Sequence, residues 1–375
     1  MWTLREDEVS AIAVGAGILG AGGGGSPYLG QLQLRELLRS GRRVEIIPAG
    51  EVADDDLGCG SSGMGAPTVG IEKLPRGDEM WQAVRAIEDH LRQRFRFLVV
   101  GEVGGGNAIE PLIAGAYGGL PVIDADPMGR AFPELQMDTF MIYGVRPWPF
   151  ALHDPQGNSV VIGPVDSAQT AERIGRAATV AMGGTVALAL PVITGRQLKA
   201  YAIHGTLSLV RRIGAAVEEA LRAKDDPLAA IGSVVPANVL FFGKVVDVER
   251  RTTGGFARGR LRMEGLGGFA SETLAIDIQN EFLVAYRDGA PVATVPDIIS
   301  LIEEESGLPL GTEALHYGQR LTVLGIPAAA KLKTEQALRV VGPRAFGYDV
   351  DFRPLPGDLP EAPLMVAGSP RGDGA

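Results

Sequence analysis

The chain has few of several residue types whose abundance would indicate a particular class of function. It carries one cysteine, Cys59, so an internal disulfide framework and a cysteine-based zinc site are both excluded. Its four histidines show no metal-ligand spacing. Basic residues are also in the minority, with 35 Lys and Arg against 45 Asp and Glu and a net charge of −10. Nucleic acid is therefore not an expected partner.

Long apolar runs and targeting signals are also missing. No stretch reaches about 18 uninterrupted apolar residues, so no transmembrane helix and no membrane partner are expected. The opening residues, MWTLREDEVS, are acidic and unlike a signal peptide. We therefore expect a cytoplasmic protein that acts on a small molecule. Apolar runs such as TVALALPV fit either a core strand or a homo-oligomer interface.

Glycine, in contrast, is abundant at 52 residues, and one cluster has the GxGxxG pattern of a dinucleotide site. The pattern spans Gly15 to Gly20. Thr3 and Glu6 form a capping-box pattern, which predicts a helix before the glycines where a Rossmann fold requires a strand. The acidic residue expected on a second strand tip, Glu45, lies inside a strand-like run. Dinucleotide binding is therefore disfavoured.

The adjoining glycines, Gly22, Gly23, Gly24 and Gly25, favour a ligand loop. Ser26 suits an N-cap and the proline after it suits the first helical position. The glycines would then expose backbone amides at the positive end of a helix, which suits an anionic or carbonyl-rich ligand. A flexible connector is the alternative interpretation.

The pattern order predicts an α/β fold. A strand in RRVEIIPA, a loop in GCGSSGMGAPTVGIEKLP, a helix, a buried strand in FRFLVVGEV, a short helix and a strand in LPVIDADP indicate a mainly parallel sheet. From about Val234, short alternating runs predict a β-rich region with one helix near PDIISLIEEE. We predict an N-terminal α/β domain over 1–165, a C-terminal domain over 166–355 that is helical and then β-rich, and a disordered tail over 356–375.

Ligands of parallel sheets bind beyond the carboxyl ends of the strands, and two predicted strands end in acidic residues. Glu102 closes the first and is a candidate general base or substrate anchor, or a turn carboxylate. Gly104, Gly105, Gly106 and Asn107 follow it as candidate substrate-binding residues. Asn107 can equally cap a helix, with Glu110 completing a capping box.

The second strand ends in Asp124 and Asp126, whose D-x-D spacing projects both carboxylates the same way. Such a pair can hold a divalent cation, share a proton or bind a cationic ring nitrogen. The alternative is one turn-forming aspartate and one N-cap. Arg130 can complete a polar cluster there, and His204, just before a predicted helix, can face the same pocket.

Six strings of the chain resemble the S-methyl thiohydantoin desulfurase family: ILGAGGGGSPYLG, MGAPTVGIEKLP, GEVGGGNAIEPL, PVIDADPMGRAFPELQM, GTLSL and GPRAFGYDVDF. The resemblance runs from about residue 3 to residue 353. It implies an N-terminal α/β domain, a β-rich C-terminal domain and hydrolytic removal of methanethiol from an S-methylated thiohydantoin. Related chains often carry Asp in place of Ser26 and an apolar run in place of 58–61, so the substrate is not fixed.

Several mechanisms fit this chemistry. Asp124, Asp126 or Glu102 would deprotonate the attacking water, while amides of 22–25 or 104–106 hold the ring carbonyl or a propionate tail. The cofactor is unknown; a divalent metal held by Asp124 and Asp126 is the competing route. Two other functions stay open: an ATP- and magnesium-dependent hydantoinase/oxoprolinase-like enzyme, and a non-catalytic small-molecule-binding protein.

Overall fold

The computed structural model describes residues 1–66, 69 and 72–364. Part of the predicted glycine-rich loop (67, 68, 70 and 71) and the end of the predicted tail (365–375) lie outside the described residues. The α-helices are α1 Glu8–Leu19, α2 Tyr28–Arg39, α3 Glu79–Leu91, α4 Glu110–Gly118, α5 Thr139–Ile142, α6 Ala168–Ala181, α7 Gly195–Tyr201, α8 Thr206–Ala223, α9 Pro227–Val234 and α10 Glu335–Val341.

The β-strands are β1 Trp2–Thr3, β2 Glu45–Ile47, β3 Leu57–Gly65, β4 Phe97–Val100, β5 Val122–Ile123, β6 Ala125–Asp126, β7 Phe150–His153, β8 Ser159–Ile162, β9 Thr185–Thr194, β10 Ile203–His204, β11 Asn238–Thr253, β12 Phe256–Gly265, β13 Thr273–Gln279, β14 Glu281–Arg287, β15 Ala290–Thr294, β16 Ile298–Glu303 and β17 Arg320–Ile326. None of the described helices has the length and apolar character needed to cross a membrane.

An eight-stranded mixed sheet organises the first part of the chain, in the order β1-β2-β5-β4-β3-β9-β7-β8. Strands β2, β5, β4 and β3 run parallel, and β9, β7 and β8 extend the sheet antiparallel. All four residues of β4 are apolar and buried, as expected of a parallel strand covered on both faces. The predicted α/β fold is confirmed.

A seven-stranded antiparallel sheet forms the second part, in the order β15-β14-β13-β12-β11-β17-β16. Its longest strand, β11, carries bulges between Val239 and Phe241 and between Val245 and Asp247, which increase local bend and twist. The predicted β-rich region is confirmed. The helix predicted near PDIISLIEEE is wrong, because this segment forms β16. Its continuous apolar run is buried although β16 lies at the edge of the sheet beside β17, and such a run has no periodicity that separates strand from helix.

Two further local predictions are corrected. Residues 57–65 form a strand, although their glycines predict a loop, because β4 and β9 pair with both of its edges. The capping box at Thr3 and Glu6 is wrong as well. Thr3 pairs with β2, and α1 begins only at Glu8.

Close packing between α1 and α8 accounts for the GxGxxG pattern. Gly15 lies inside α1, and a Cβ added there would be 1.9 Å from the Val210 carbonyl oxygen of α8. Gly214 of α8 returns the contact, since its added Cβ would be 1.8 Å from the Ala11 oxygen. Both glycines let the two helix backbones approach closely.

The two parts of the chain interlock. Strand β9 follows residue 165 but pairs with β3 and β7 inside the first sheet. The predicted domain boundary at residue 165 therefore remains a prediction. The disordered tail predicted over 356–375 also stays a prediction; within 356–364, Leu359 is buried and the Ala362 amide donates to the His204 oxygen at 2.9 Å.

Candidate functional site

A cavity of about 470 Å³ lies beyond the carboxyl ends of β3 and β4. Its wall includes residues of the first glycine loop, of the loop after β4 and of the start of α4. Asn280, the residue just before β14, and Glu281, the first residue of β14, line the cavity from the antiparallel sheet. This is the place where parallel sheets bind ligands, so the cavity is the candidate active site.

The two glycine loops form one wall by packing against each other. The Gly106 amide donates to the Gly25 oxygen at 2.8 Å, and the Asn107 amide donates to the Gly24 oxygen at 3.1 Å. A Cβ added to Gly24 would be 2.1 Å from the Gly104 oxygen, so the contact requires glycine. Because the amides of 106 and 107 are taken by this contact, they are not available to hold a substrate oxygen.

The predicted glycines thus divide into two groups. Gly24, Gly25 and Gly106 line the cavity. The others support the loops from behind and are not part of its wall: Gly22, Gly23, Gly104 and Gly105. Ser26 also lines the cavity, and its hydroxyl accepts from the Tyr28 amide at 3.4 Å at the start of α2.

Glu102 and Asn107 meet on the cavity wall. The Glu102 side chain is buried; it accepts hydrogen bonds from the Asn107 side-chain amide and, at 2.9 Å, from the Phe132 backbone amide. Asn107 in turn accepts from the Gly63 amide of β3 at 2.7 Å. Burial raises the pKa of Glu102 to about 7, although both donors lower it. A carboxylate poised near neutral pH can move a proton in either direction.

Other acidic side chains share the cavity wall. Burial raises the pKa of Glu110 and of Asp138 to about 7. Asp138 also caps α5 by accepting from the Met141 amide at 2.7 Å. Glu281 opens β14 and is 2 % exposed; sequence reasoning missed it because an alternating strand gives no signal for a catalytic residue.

A cation also lines the wall. The Lys73 ammonium donates to the Met182 oxygen at 2.8 Å and to the Thr185 oxygen at 3.1 Å. These hydrogen-bond partners are neutral, and the ammonium also interacts electrostatically with the Asp154 carboxylate. Sequence reasoning missed this residue, although it lies in one of the six strings that carry the resemblance.

Asp124 points away from the cavity and holds the start of α8. Its carboxylate accepts from the Ser208 amide at 2.9 Å and from the Ser208 hydroxyl. The N-cap of α8 is Gly205, which has no side chain, so Asp124 supplies the capping carboxylate from outside the helix. It does not line the cavity.

Asp126 is fully buried beneath the site. One carboxylate oxygen accepts from three backbone amides, those of Val103 at 3.0 Å, Met128 at 3.0 Å and Gly129 at 2.9 Å. Burial raises its pKa to about 7. This aspartate fixes the loop after β4 relative to the loop after β6.

The two aspartates do not fit the predicted metal site, because N–H and O–H donors face both carboxylates. Among residues 1–66, 69 and 72–364, no group of three or more His, Cys, Asp and Glu side chains is arranged to hold a metal ion.

Arg130 and His204 also lie outside the cavity wall. The Arg130 guanidinium is fully buried and donates to the oxygens of Ala131, Pro296 and Asp297 at 2.9–3.0 Å. His204 contacts the Lys199 oxygen at 3.1 Å, and burial lowers its pKa. Both residues connect the loops behind the site.

Cys59 is fully buried in β3, where burial raises the pKa of the thiol. It does not line the cavity, so it is not placed to act as a nucleophile there.

Comparisons with known proteins identify a family and a solved structure with a similar fold. Two family models match: S-Me-THD-like, N-terminal domain, over residues 7–164, and S-Me-THD-like, C-terminal domain, over residues 166–355. The X-ray structure of a protein from Chromobacterium violaceum is similar, with a TM-score of 0.79 and 23% identity over 94% of this chain and 100% of that chain. At that identity the likeness shows the fold alone. No curated protein matches the chain.

Proposed function

Since the chain belongs to the S-Me-THD-like family, as its sequence predicts, we propose that it is a hydrolase that removes methanethiol from an S-methylated thiohydantoin-type heterocycle. Membership of this family suggests an enzyme. The observation that carries the proposed reaction is Glu102, a buried carboxylate with a pKa of about 7 on the wall of the cavity.

Glu102 supplies the base that this reaction requires. The carbon that bears the S-methyl group is doubly bonded to a ring nitrogen. Glu102 takes a proton from water as the new C–O bond forms and the π electron pair moves to that nitrogen. The electron pair on nitrogen then re-forms the C=N bond as the C–S bond breaks. The departing sulfur takes up a proton and leaves as methanethiol, and the lactim that remains tautomerises to the hydantoin. The Asn107 and Phe132 donors fix the carboxylate, and a positioned base contributes about 10²–10⁴ in rate.

Lys73 bears on the substrate class. It is a cation on the cavity wall, and its partners are carbonyl oxygens. A substrate carboxylate would give the ammonium a charged hydrogen-bond partner in the cavity. We therefore propose that the ring carries an acidic side chain such as a propionate.

The test is thiol release by purified protein from S-methylated thiohydantoins, including one with a propionate side chain and its amide counterpart. Glu102→Gln is expected to lower kcat/KM by about 10²–10⁴ because it removes the base. Asp124→Asn is the matched control and is expected to stay near the wild-type rate, since Asp124 lies off the cavity. The propionate substrate is expected to have a lower KM than its amide.

Each outcome separates one part of the proposal. No release from any substrate would contradict the desulfurase function, and stabilisation by ATP with magnesium would then favour the nucleotide-dependent alternative. Release that chelator treatment abolishes would contradict the carboxylate-base mechanism. Equal KM values for acid and amide would contradict the role of Lys73.

A further inference from the structure

Glu281 is the cavity residue whose surroundings are least explained by folding alone. Its side chain is 2 % exposed, and its Oε2 atom has no hydrogen-bond partner among the described residues. A buried carboxylate without a partner is costly to fold. It nevertheless lines the cavity, on the side formed by the antiparallel sheet.

The first glycine loop is shaped around this side chain. A Cβ added to Gly23 would be 1.9 Å from the Glu281 Oε1 atom, so any larger residue there would displace the carboxyl group. The Phe282 amide donates to the Ala21 oxygen at 2.8 Å, which ties the start of β14 to the same loop. The loop therefore holds the Glu281 carboxyl group at the cavity.

The charges of Glu102 and Arg130 both act on Glu281. Burial, followed by the negative charge of Glu102, raises the pKa of Glu281 well above its usual value, while Arg130 and then Arg176 lower it. Arg130 is fully buried and interacts with both glutamates. Two carboxyl groups that interact electrostatically do not readily ionise together, so one can keep its proton while the other acts as a base.

We propose that Glu281 is the general acid that protonates the departing thiolate. This inference rests on the proposed function. Glu102 removes a proton from the attacking water as the C–O bond forms. The C–S bond then breaks with its electron pair on sulfur, and the Glu281 proton forms the S–H bond of methanethiol. The lactim left on the ring tautomerises to the hydantoin, and the proton on Glu102 returns to Glu281 to complete the cycle.

The experiment compares two leaving groups in one variant. Methanethiolate needs a proton to depart, whereas 4-nitrothiophenolate is stable without one. Glu281→Gln is therefore expected to lower kcat/KM for the S-methyl substrate by about 10²–10⁴. It should change kcat/KM for the S-(4-nitrophenyl) analogue less than about tenfold, because that step needs no acid. Glu102→Gln should slow both, because both need the base.

Glu313→Gln is the matched control. It makes the same change at another glutamate of the antiparallel part, whose Oε2 atom also lacks a partner among the described residues but which lies off the cavity. Its two rates are expected to match those of the wild type.

Equal losses on both substrates, or no loss on either, would overturn the role of Glu281. If wild-type protein releases neither thiol, the proposed function itself has failed, which is a distinguishable result. A measurement on wild-type protein covers the case in which the variant does not fold. Across S-alkyl substrates, an acid-assisted departure predicts rates that vary little with the pKa of the leaving thiol, and a steep dependence would overturn the proposal.

Discussion

Asn107 shows at the residue scale how one side chain sets the chemistry of another. Its amide donates to Glu102 and thereby lowers a pKa that burial has raised to about 7. In Asn107→Leu this donor is lost, so the pKa of Glu102 should rise further, by about 1 pH unit. The acidic limb of the kcat/KM profile should move to higher pH, with a loss of about fivefold at pH 7 and little loss at pH 9.

The check is a pH–rate profile with the S-methyl substrate. Asn107→Ser, which keeps a short donor, should shift the limb less than the leucine variant does. An acidic limb that stays in place, or that moves to lower pH, would show that Asn107 does not act through Glu102.

Sequence reasoning reaches residues whose position depends on local rules. Glu102 and Asn107 could be found because a strand, its terminal residue and the following glycines are neighbours in sequence, and the edge of a parallel sheet is a known ligand site. Glu281 and Lys73 could not be found this way. Each reaches the cavity through contacts between segments far apart in the chain, and neither lies in a motif with a chemical meaning of its own.

At the scale of the elements, the capping of helix α8 predicts that Asp124 contributes to stability and not to catalysis. The helix starts at a glycine N-cap, so its first turn relies on the Asp124 carboxylate for a capping partner. Asp124→Ala should therefore reduce the free energy of unfolding by about 1–2 kcal/mol. It should leave kcat/KM close to the wild-type value, because the carboxylate does not line the cavity.

Chemical denaturation measures the expected loss of stability, and thiol release measures whether kcat/KM is unchanged. Asp124→Asn, which keeps an acceptor oxygen, should lose less stability than the alanine variant. A folded Asp124→Ala variant with little activity would restore Asp124 as a catalytic or metal-binding residue. The D-x-D spacing could not decide this from sequence, because the partner of Asp124 lies on a helix that starts about 80 residues later.

At the scale of the whole molecule, the order of the secondary-structure elements can be predicted from the sequence, but the pairing of the strands into sheets cannot. Alternating strands and helices predict the parallel part of the first sheet, and short alternating runs predict the antiparallel sheet. The membership of β9 in the first sheet depends on pairing with β3, more than a hundred residues earlier in the chain. That pairing also turns a glycine-rich segment into an internal strand, which local propensity alone does not predict.

The concentration of buried carboxyl groups should make the whole protein more stable at mildly acidic pH. Burial raises the pKa of Glu102, Glu110, Asp126 and Asp138 to about 7, so the native state keeps protons that the unfolded chain releases. Each group lowers the free energy of unfolding by up to about 1.4 kcal/mol per pH unit as pH rises from 5 toward 7. His153 and His204 oppose this below about pH 6.5, because burial lowers the pKa of each.

Thermal melting across this range measures the balance. The carboxyl groups outnumber the histidines, so the melting temperature should be higher near pH 5.5 than near pH 8. Glu110→Gln should flatten the dependence and raise the melting temperature near pH 8, because it removes a buried charge at that pH. Glu36→Gln, on the polar surface of α2, makes the same change at an exposed position and should leave the slope unchanged. A melting temperature that rises steadily from pH 5.5 to pH 8 would contradict this prediction. It would mean that these carboxyl groups are already ionised in the native protein at mildly acidic pH, and that burial does not raise their pKa values to about 7.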